Sequence, residues 1–224
     1  MKLYLFSVLS TVLLSISLIQ AKLAMFINAA EGDKDNLYAV GLARAKCLCE
    51  VFGVNGTLTT PQKIYAQTGK SLRFRDTVMP LAQSLNLEVD LTYNKENTKE
   101  LINGIISAKE DVSLISWSPN KMDKVTKDFQ IVNPPTWDSN NYDNIWILTD
   151  GAIPYLKNEN STIQATTYKG SRGYGMIVVK ENVEQCMKDS LPAGADLLTT
   201  SSGFMPKAHI TTIFFILLLI LIVF

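Results

Sequence analysis

Apolar and polar positions along the chain follow two rhythms. Short, nearly continuous apolar runs at residues 23–28, 63–66, 89–91, 112–116, 142–149 and 176–179 predict strands. Segments of helical period lie between several of them. Tyr38, Leu42, Ala45, Cys49 and Phe52 recur at spacings of three and four, and Gly53 follows as a C-terminal stop. Residues 76–85 predict a second helix with Pro80 near its first turn. Residues 97–107 predict a third, with Leu101, Ile102, Ile105 and Ile106 as its apolar face. Residues 133–141 and 157–161 read as surface loops. The glycine-rich stretch 170–175 lacks the lysine and spacing of a phosphate-binding loop and reads as a turn into the strand at Met176.

Strands alternating with helices predict an α/β fold, a three-layer α/β/α sandwich with a mostly parallel central sheet. Sites in open parallel sheets form beyond the carboxyl ends of strands. The expected pocket therefore draws on residues 28–31, 67–75 and 117–119.

The two ends have their own pattern. Met1-Lys2 precedes an apolar run over residues 3–19, the form of a secretory signal peptide, with cleavage expected after Ala21; the alternative is an uncleaved anchor. Residues 210–224 are apolar apart from Thr211 and Thr212. Upstream lie the small residues 199–203 and a short spacer containing Pro206 and Lys207. Small residues, spacer and apolar tail form the pattern of a glycosylphosphatidylinositol (GPI) attachment signal. Ser201 or Ser202 is the expected lipid site, and Gly194 a second candidate. The alternative is a retained helix, short for a bilayer span of about 20 residues. Expected boundaries are 1–21 signal, 22–195 domain, 196–206 linker and attachment region, and 207–224 tail. Sequons at Asn55 and Asn160 fit passage through the secretory pathway and, if used, face solvent.

Charge narrows the function. Lys+Arg and Asp+Glu each number 21, and Lys2 and Lys207 fall in the terminal segments, so the domain is slightly acidic. A domain without a basic block is a poor nucleic-acid binder. Three cysteines do not make a disulfide scaffold. Cys47 and Cys49, two apart on a helix, point to nearly opposite sides and cannot bridge each other. One of them is able to pair with Cys186, leaving the other free; Cys49 reads as a core residue. No cofactor is expected, and no histidine or clustered acidic motif suggests a metal site.

Several segments in order resemble the histidine phosphatase (phosphoglycerate mutase-like) superfamily, in particular a fungal group of it. They are Asn36-Leu37 with residues 41–45, Ile64-Tyr65-Ala66, Arg73 before Asp76-Thr77-Val78, residues 114–117, and Tyr142-Asp143 with Ile145-Trp146. The matched stretch runs from Phe26 to about Leu148. The resemblance implies an Arg-His-Gly motif, usually followed by Glu, after the first strand. Here those places hold Asn28, Ala29 and Ala30, and only Glu31 matches. The resemblance also implies a second histidine near Pro119, and neither Ser118 nor Pro119 replaces an imidazole. Ala29 has no lone pair for attack on phosphorus, and neutral Asn28 offers no charged fork. Alignment error does not rescue the motif, because the chain has one histidine, His209, in the C-terminal tail.

The expected function is thus a cell-surface, catalytically degenerate module. Arg73, with Glu31 as a second residue, is the expected remnant of anion binding; Lys70 and Arg75 lie near it in sequence. The expected partners are the membrane, through the anchor, and an extracellular protein, glycan or small anion, with Trp117, Trp137 and Tyr142 as a possible aromatic surface. The alternative is a secreted or membrane-bound enzyme of the phosphatase/phosphomutase family with non-standard catalytic residues, using Cys47, Ser116 or Ser118 with Glu31, Asp76 or a lysine as base.

Overall fold

The computed structural model describes residues 21–157, 163–171 and 173–191. Its core strand, β1 (Leu23–Ile27), is buried along its whole length because alternate side chains enter different clusters. Leu23, Met25 and Ile27 join one apolar cluster, whereas Ala24 and Phe26 join another. A continuous apolar run is the expected mark of a strand covered on both faces.

Seven strands form one sheet in the order β3-β2-β4-β1-β5-β7-β6. They are β2 (Lys63–Ala66), β3 (Val89–Asp90), β4 (Val112–Ser116), β5 (Asn144–Thr149), β6 (Thr166–Lys169) and β7 (Gly175–Lys180) beside β1. The half from β3 to β1 is parallel. From β1 to β6 each neighbour is antiparallel to the last. The sheet is therefore mixed: five strands run one way, and β5 and β6 oppose them.

The helices among the described residues are α1 (Ala39–Phe52), α2 (Arg73–Ser84), α3 (Thr98–Ser107), α4 (Met122–Asp128) and α5 (Glu184–Ser190), with a 3-10 turn at Pro119–Lys121 before α4. Side chains of α1, α2 and α5 enter the cluster of Met25, and those of α3 and α4 enter the cluster of Phe26. None of these helices is long and apolar enough to cross a membrane.

Several sequence expectations change. The buried side of α1 carries Val40, Ala43, Arg44, Cys47, Leu48 and Val51, while Leu42 is 51% exposed and Cys49 only half-buried. That helix is apolar nearly all round, so periodicity alone does not choose its core face. Cys47 bonds to Cys186 across a Cα–Cα distance of 5.9 Å, and Cys49 is the free thiol. Helix α2 starts at Arg73, so Pro80 lies inside it rather than in its first turn. The missing N–H costs a hydrogen bond, offset by the burial of Val78, Leu81 and Ala82 beside it. Ile106 is exposed on α3. The glycine-rich stretch does turn into a strand, but it does so as the connection of the β6–β7 hairpin. Residues 133–141 are irregular, yet Trp137 within them is buried.

Candidate functional site

The tips of β1 and β4 are adjacent because these strands pair in parallel register, Ile27 opposite Ser116. Beyond that edge Trp117 N donates to Ile27 O at 2.9 Å. Gln67, at the tip of β2, accepts at its Oε1 from Ser118 N at 3.3 Å. Helix α2 begins beside them. Thr77 Oγ1 accepts from Ala30 N and donates to Arg73 O, each at 2.8 Å, and so ties the β1 loop to the start of α2.

These tips surround a cleft of about 440 Å³. Asn28, Arg73, Ser118 and Pro119 line it together with Tyr142 and Lys34. The three expected segments therefore converge, over residues far apart in sequence. Arg73 Nη1 donates to Gly32 O at 2.8 Å, while its buried Nε has no protein acceptor. Lys34 brings a second positive charge, exposed at the rim. Opposing them is Asp33, held below the usual carboxylate range by the N–H groups of Asn36 and Asp35, with a smaller pull from Arg73. Lys34 was not found from sequence. It lies in a loop whose only local signal is the turn at Asp33, and its place at the rim depends on how that loop folds back.

The positions that the resemblance assigns to the motif after the first strand occupy different surroundings. Asn28 is buried, and its Nδ2 donates to Ser139 O at 3.0 Å. Its amide therefore anchors the 133–141 loop. Ala29 and Ala30 are fully buried in apolar clusters and do not line the cleft. The place at which the resemblance expects a nucleophile is a packed methyl group.

Glu31 stands outside the cleft, contrary to its expected place beside Arg73. Its carboxylate takes three hydrogen bonds from Arg44, at 2.8–3.1 Å, and it does not line the cleft. Arg44 Nη1 also donates to buried Glu181 at 2.8 Å. Burial pushes Glu181 up to about 7 despite the pull of Arg44. Arg44 itself is shifted upward: burial opposes its charge, but Glu31 and Glu181 outweigh that. The three groups join the β1 loop, α1 and the end of β7. No local pattern reveals this triad, because its third member comes from a distant strand.

Other expected participants lie elsewhere. Arg75 pairs with Asp76 at 2.7 Å, and neither it nor Lys70 lines the cleft. The sulfur of Cys47 is committed to its disulfide and Ser116 is fully buried, so neither offers an accessible nucleophile. Ser118 does face the cleft, but no carboxylate lines it to serve as base. Trp117 and Trp137 are buried and do not line the cleft; of the three expected aromatic residues only half-buried Tyr142 does, beside Phe74. Asn55 is exposed on the turn after α1, with Thr57 exposed beside it. Asn160, Gly194, Ser201 and Ser202 lie outside the described residues. Among the described residues, no three His, Cys, Asp or Glu side chains cluster as metal ligands would.

No protein-family model matches this chain, and no curated protein matches it significantly.

Proposed function

We propose that this chain is a catalytically degenerate histidine phosphatase-like protein, a binding module on a three-layer α/β/α, phosphoglycerate mutase-like architecture. One observation carries the reading. Two strand tips and a helix start meet at a single cleft, as the resemblance expects of nucleophile, arginine and second histidine, but only Arg73 of that set remains in its lining. The chain's one histidine, His209, lies in the tail.

What survives suits a small anion. Arg73 lines the cleft with its positive charge, and Lys34 adds charge at the rim. A charge-assisted hydrogen bond contributes about 1.5–3 kcal/mol, so binding in the millimolar range is expected. The reading places the domain on the outer face of the plasma membrane. It combines the signal over residues 1–21, the apolar tail over 207–224, lipid at Ser201, Ser202 or Gly194, and glycans at Asn55 and Asn160. The exposure of Asn55 supports that placement.

The test is hydrolysis of an aryl phosphate by the full chain from a secretory host, across about pH 4 to 8, the range over which carboxylate and imidazole bases titrate. No turnover above that of Arg73→Ala is expected; turnover above it overturns the degenerate reading. Calorimetric titration with inorganic phosphate should show millimolar binding that Arg73→Ala abolishes. Absence of heat and of any thermal shift at those concentrations removes the anion site.

A further inference from the structure

The cleft at the strand tips, about 440 Å³, has a size usual for small-molecule sites, about 300–1,000 Å³. It shares Pro119, Asn120 and Ser139 with a larger space of about 800 Å³, but the two differ in chemistry. The larger space is walled by Trp137, Trp146, Ile131 and two prolines. The cleft is lined chiefly by neutral polar residues: Ser71, Ser118, Asn120, Ser139 and Asn140. Three of these meet the protein through their backbone. Ser118 N donates to Gln67 Oε1 at 3.3 Å, Ser139 O accepts from Asn28 Nδ2 at 3.0 Å, and Asn140 N donates to Asp138 Oδ1 at 2.9 Å. Those bonds do not use the hydroxyls or the amide, groups that both donate and accept.

Charge and shape narrow the occupant. No carboxylate lines the cleft, so nothing in its wall attracts a cation. Arg73 is its principal positive charge, because Lys34 stands between Asp33 and Asp35 in sequence and is partly balanced by them. One guanidinium suits one negative group. Phe74 and Tyr142 add aromatic surface. The C–H face of a saturated ring packs against an aromatic face, whose quadrupole is negative. A polyhydroxylated ring with one acidic group uses all of these features together. An apolar ligand would strand the polar lining, and a bare anion would leave most of it unused.

The walls are held before a ligand arrives. Trp137 Nε1 donates to Asn141 O at 3.1 Å, and Asn141 Oδ1 accepts from Asp143 N and Asn144 N, each at 3.1 Å, so the chain is fixed on both sides of Tyr142. Across the cleft Arg73 Nη1 is held by Gly32 O at 2.8 Å. Such a site needs little ordering on binding.

We propose that the cleft lined by Arg73, Tyr142, Ser118 and Asn120 binds the ring of an acidic sugar, its carboxylate against Arg73 and its hydroxyls on the serine and asparagine side chains. This rests on the anion reading of the same cleft and adds the ring to it.

The test is calorimetric titration of the full chain, in a detergent without sugar head groups, with methyl β-D-glucuronide. Methyl β-D-glucoside lacks the charge, and cyclohexanecarboxylate lacks the hydroxyls. The glucuronide should bind saturably, one per chain, about tenfold more tightly than either control. Inorganic phosphate should compete with it. Arg73→Ala should remove the preference over the glucoside, and Asn120→Ala, at an exposed position, should reduce the preference over cyclohexanecarboxylate. Tyr142→Ala should weaken the glucuronide at least tenfold while thermal unfolding shows an intact fold, and Tyr142→Phe should retain binding. A disaccharide ending in glucuronate separates two sources of the ring: binding equal to the methyl glycoside marks a chain end, and exclusion marks the free sugar; either result supports the ring and names its source. The proposal is overturned if the glucuronide does not saturate, if either control binds as tightly, if the preference over the glucoside survives Arg73→Ala, or if Tyr142→Ala binds normally. Phosphate binding alongside such a failure leaves the anion reading standing; loss of phosphate binding as well removes both.

Discussion

Glu181 is wholly buried and shares Arg44 with Glu31, which takes three of the four hydrogen bonds that the guanidinium gives the two acids. With Arg44 chiefly neutralised by Glu31, burial governs Glu181 and raises it from 4.5 to about 7. The sign follows from linkage. Between those values the unfolded chain has released a proton that the folded chain keeps, so this group's contribution to stability is lost as pH rises through that window. The loss is on the order of 3 kcal/mol. Urea unfolding at intervals from pH 4.5 to 7.5 should show the decline in wild type and a flatter profile in Glu181→Gln; parallel profiles refute the assignment. Ala29 supports a second prediction. Its methyl is fully buried in the cluster of Met25 and Ile27. Ala29→His should therefore lower stability by about 1–3 kcal/mol, as overpacking does. It should restore no aryl-phosphate turnover, because the side chain at this position does not face the cleft. Thermal unfolding and a rate assay measure the two halves of that expectation.

Helix α1 holds much of the frame at the element scale. Gly41 lets it approach the β1 loop, since a Cβ there would fall on the Glu31 carbonyl; that closeness sets Arg44 within reach of Glu31. Helix α1 also receives α5, seven residues long and too short to persist alone. The Cys47–Cys186 bond, buried Met187 and the Arg44–Glu181 pair hold that end of the chain. The disulfide closes a loop 139 residues long in sequence separation, which contributes about 3–5 kcal/mol in the chain-entropy view. Reduction, or the Cys47→Ser/Cys186→Ser pair, should lower Tm on the order of 10 °C. Differential scanning fluorimetry with and without reductant checks this, and an unchanged Tm counts against the bond as a staple.

At the scale of the whole molecule, the proposed outer-leaflet placement predicts behaviour that no single residue would. Phosphatidylinositol-specific phospholipase should release the protein from intact cells, because a lipid is then its sole hold on the bilayer. Retention, while a known lipid-anchored marker is released, would point to the apolar tail being kept as a helix. Two cavities also meet at Pro119, Asn120 and Ser139. On the proposed degenerate reading, the smaller of them has lost its reaction chemistry and keeps Arg73 in its lining.

The order of the principal strands and helices could be read from local periodicity, and so could the three strand-end segments that converge. Composition alone also determined one chemical fact: with His209 as its only histidine, the chain has no imidazole within residues 22–195 under any alignment. Tertiary structure decided the rest. It selected the buried face of α1, where apolar residues on every side leave the period silent. It formed α4, α5 and β6, elements of seven, seven and four residues whose own propensities are weak without neighbours. It also drew Glu31 away from the cleft to an arginine shared with Glu181, 137 positions from Arg44. Periodicity reports contacts within a turn or a pleat; partnership between distant side chains is set only when packed surfaces exclude water and a buried charge must find its counterpart.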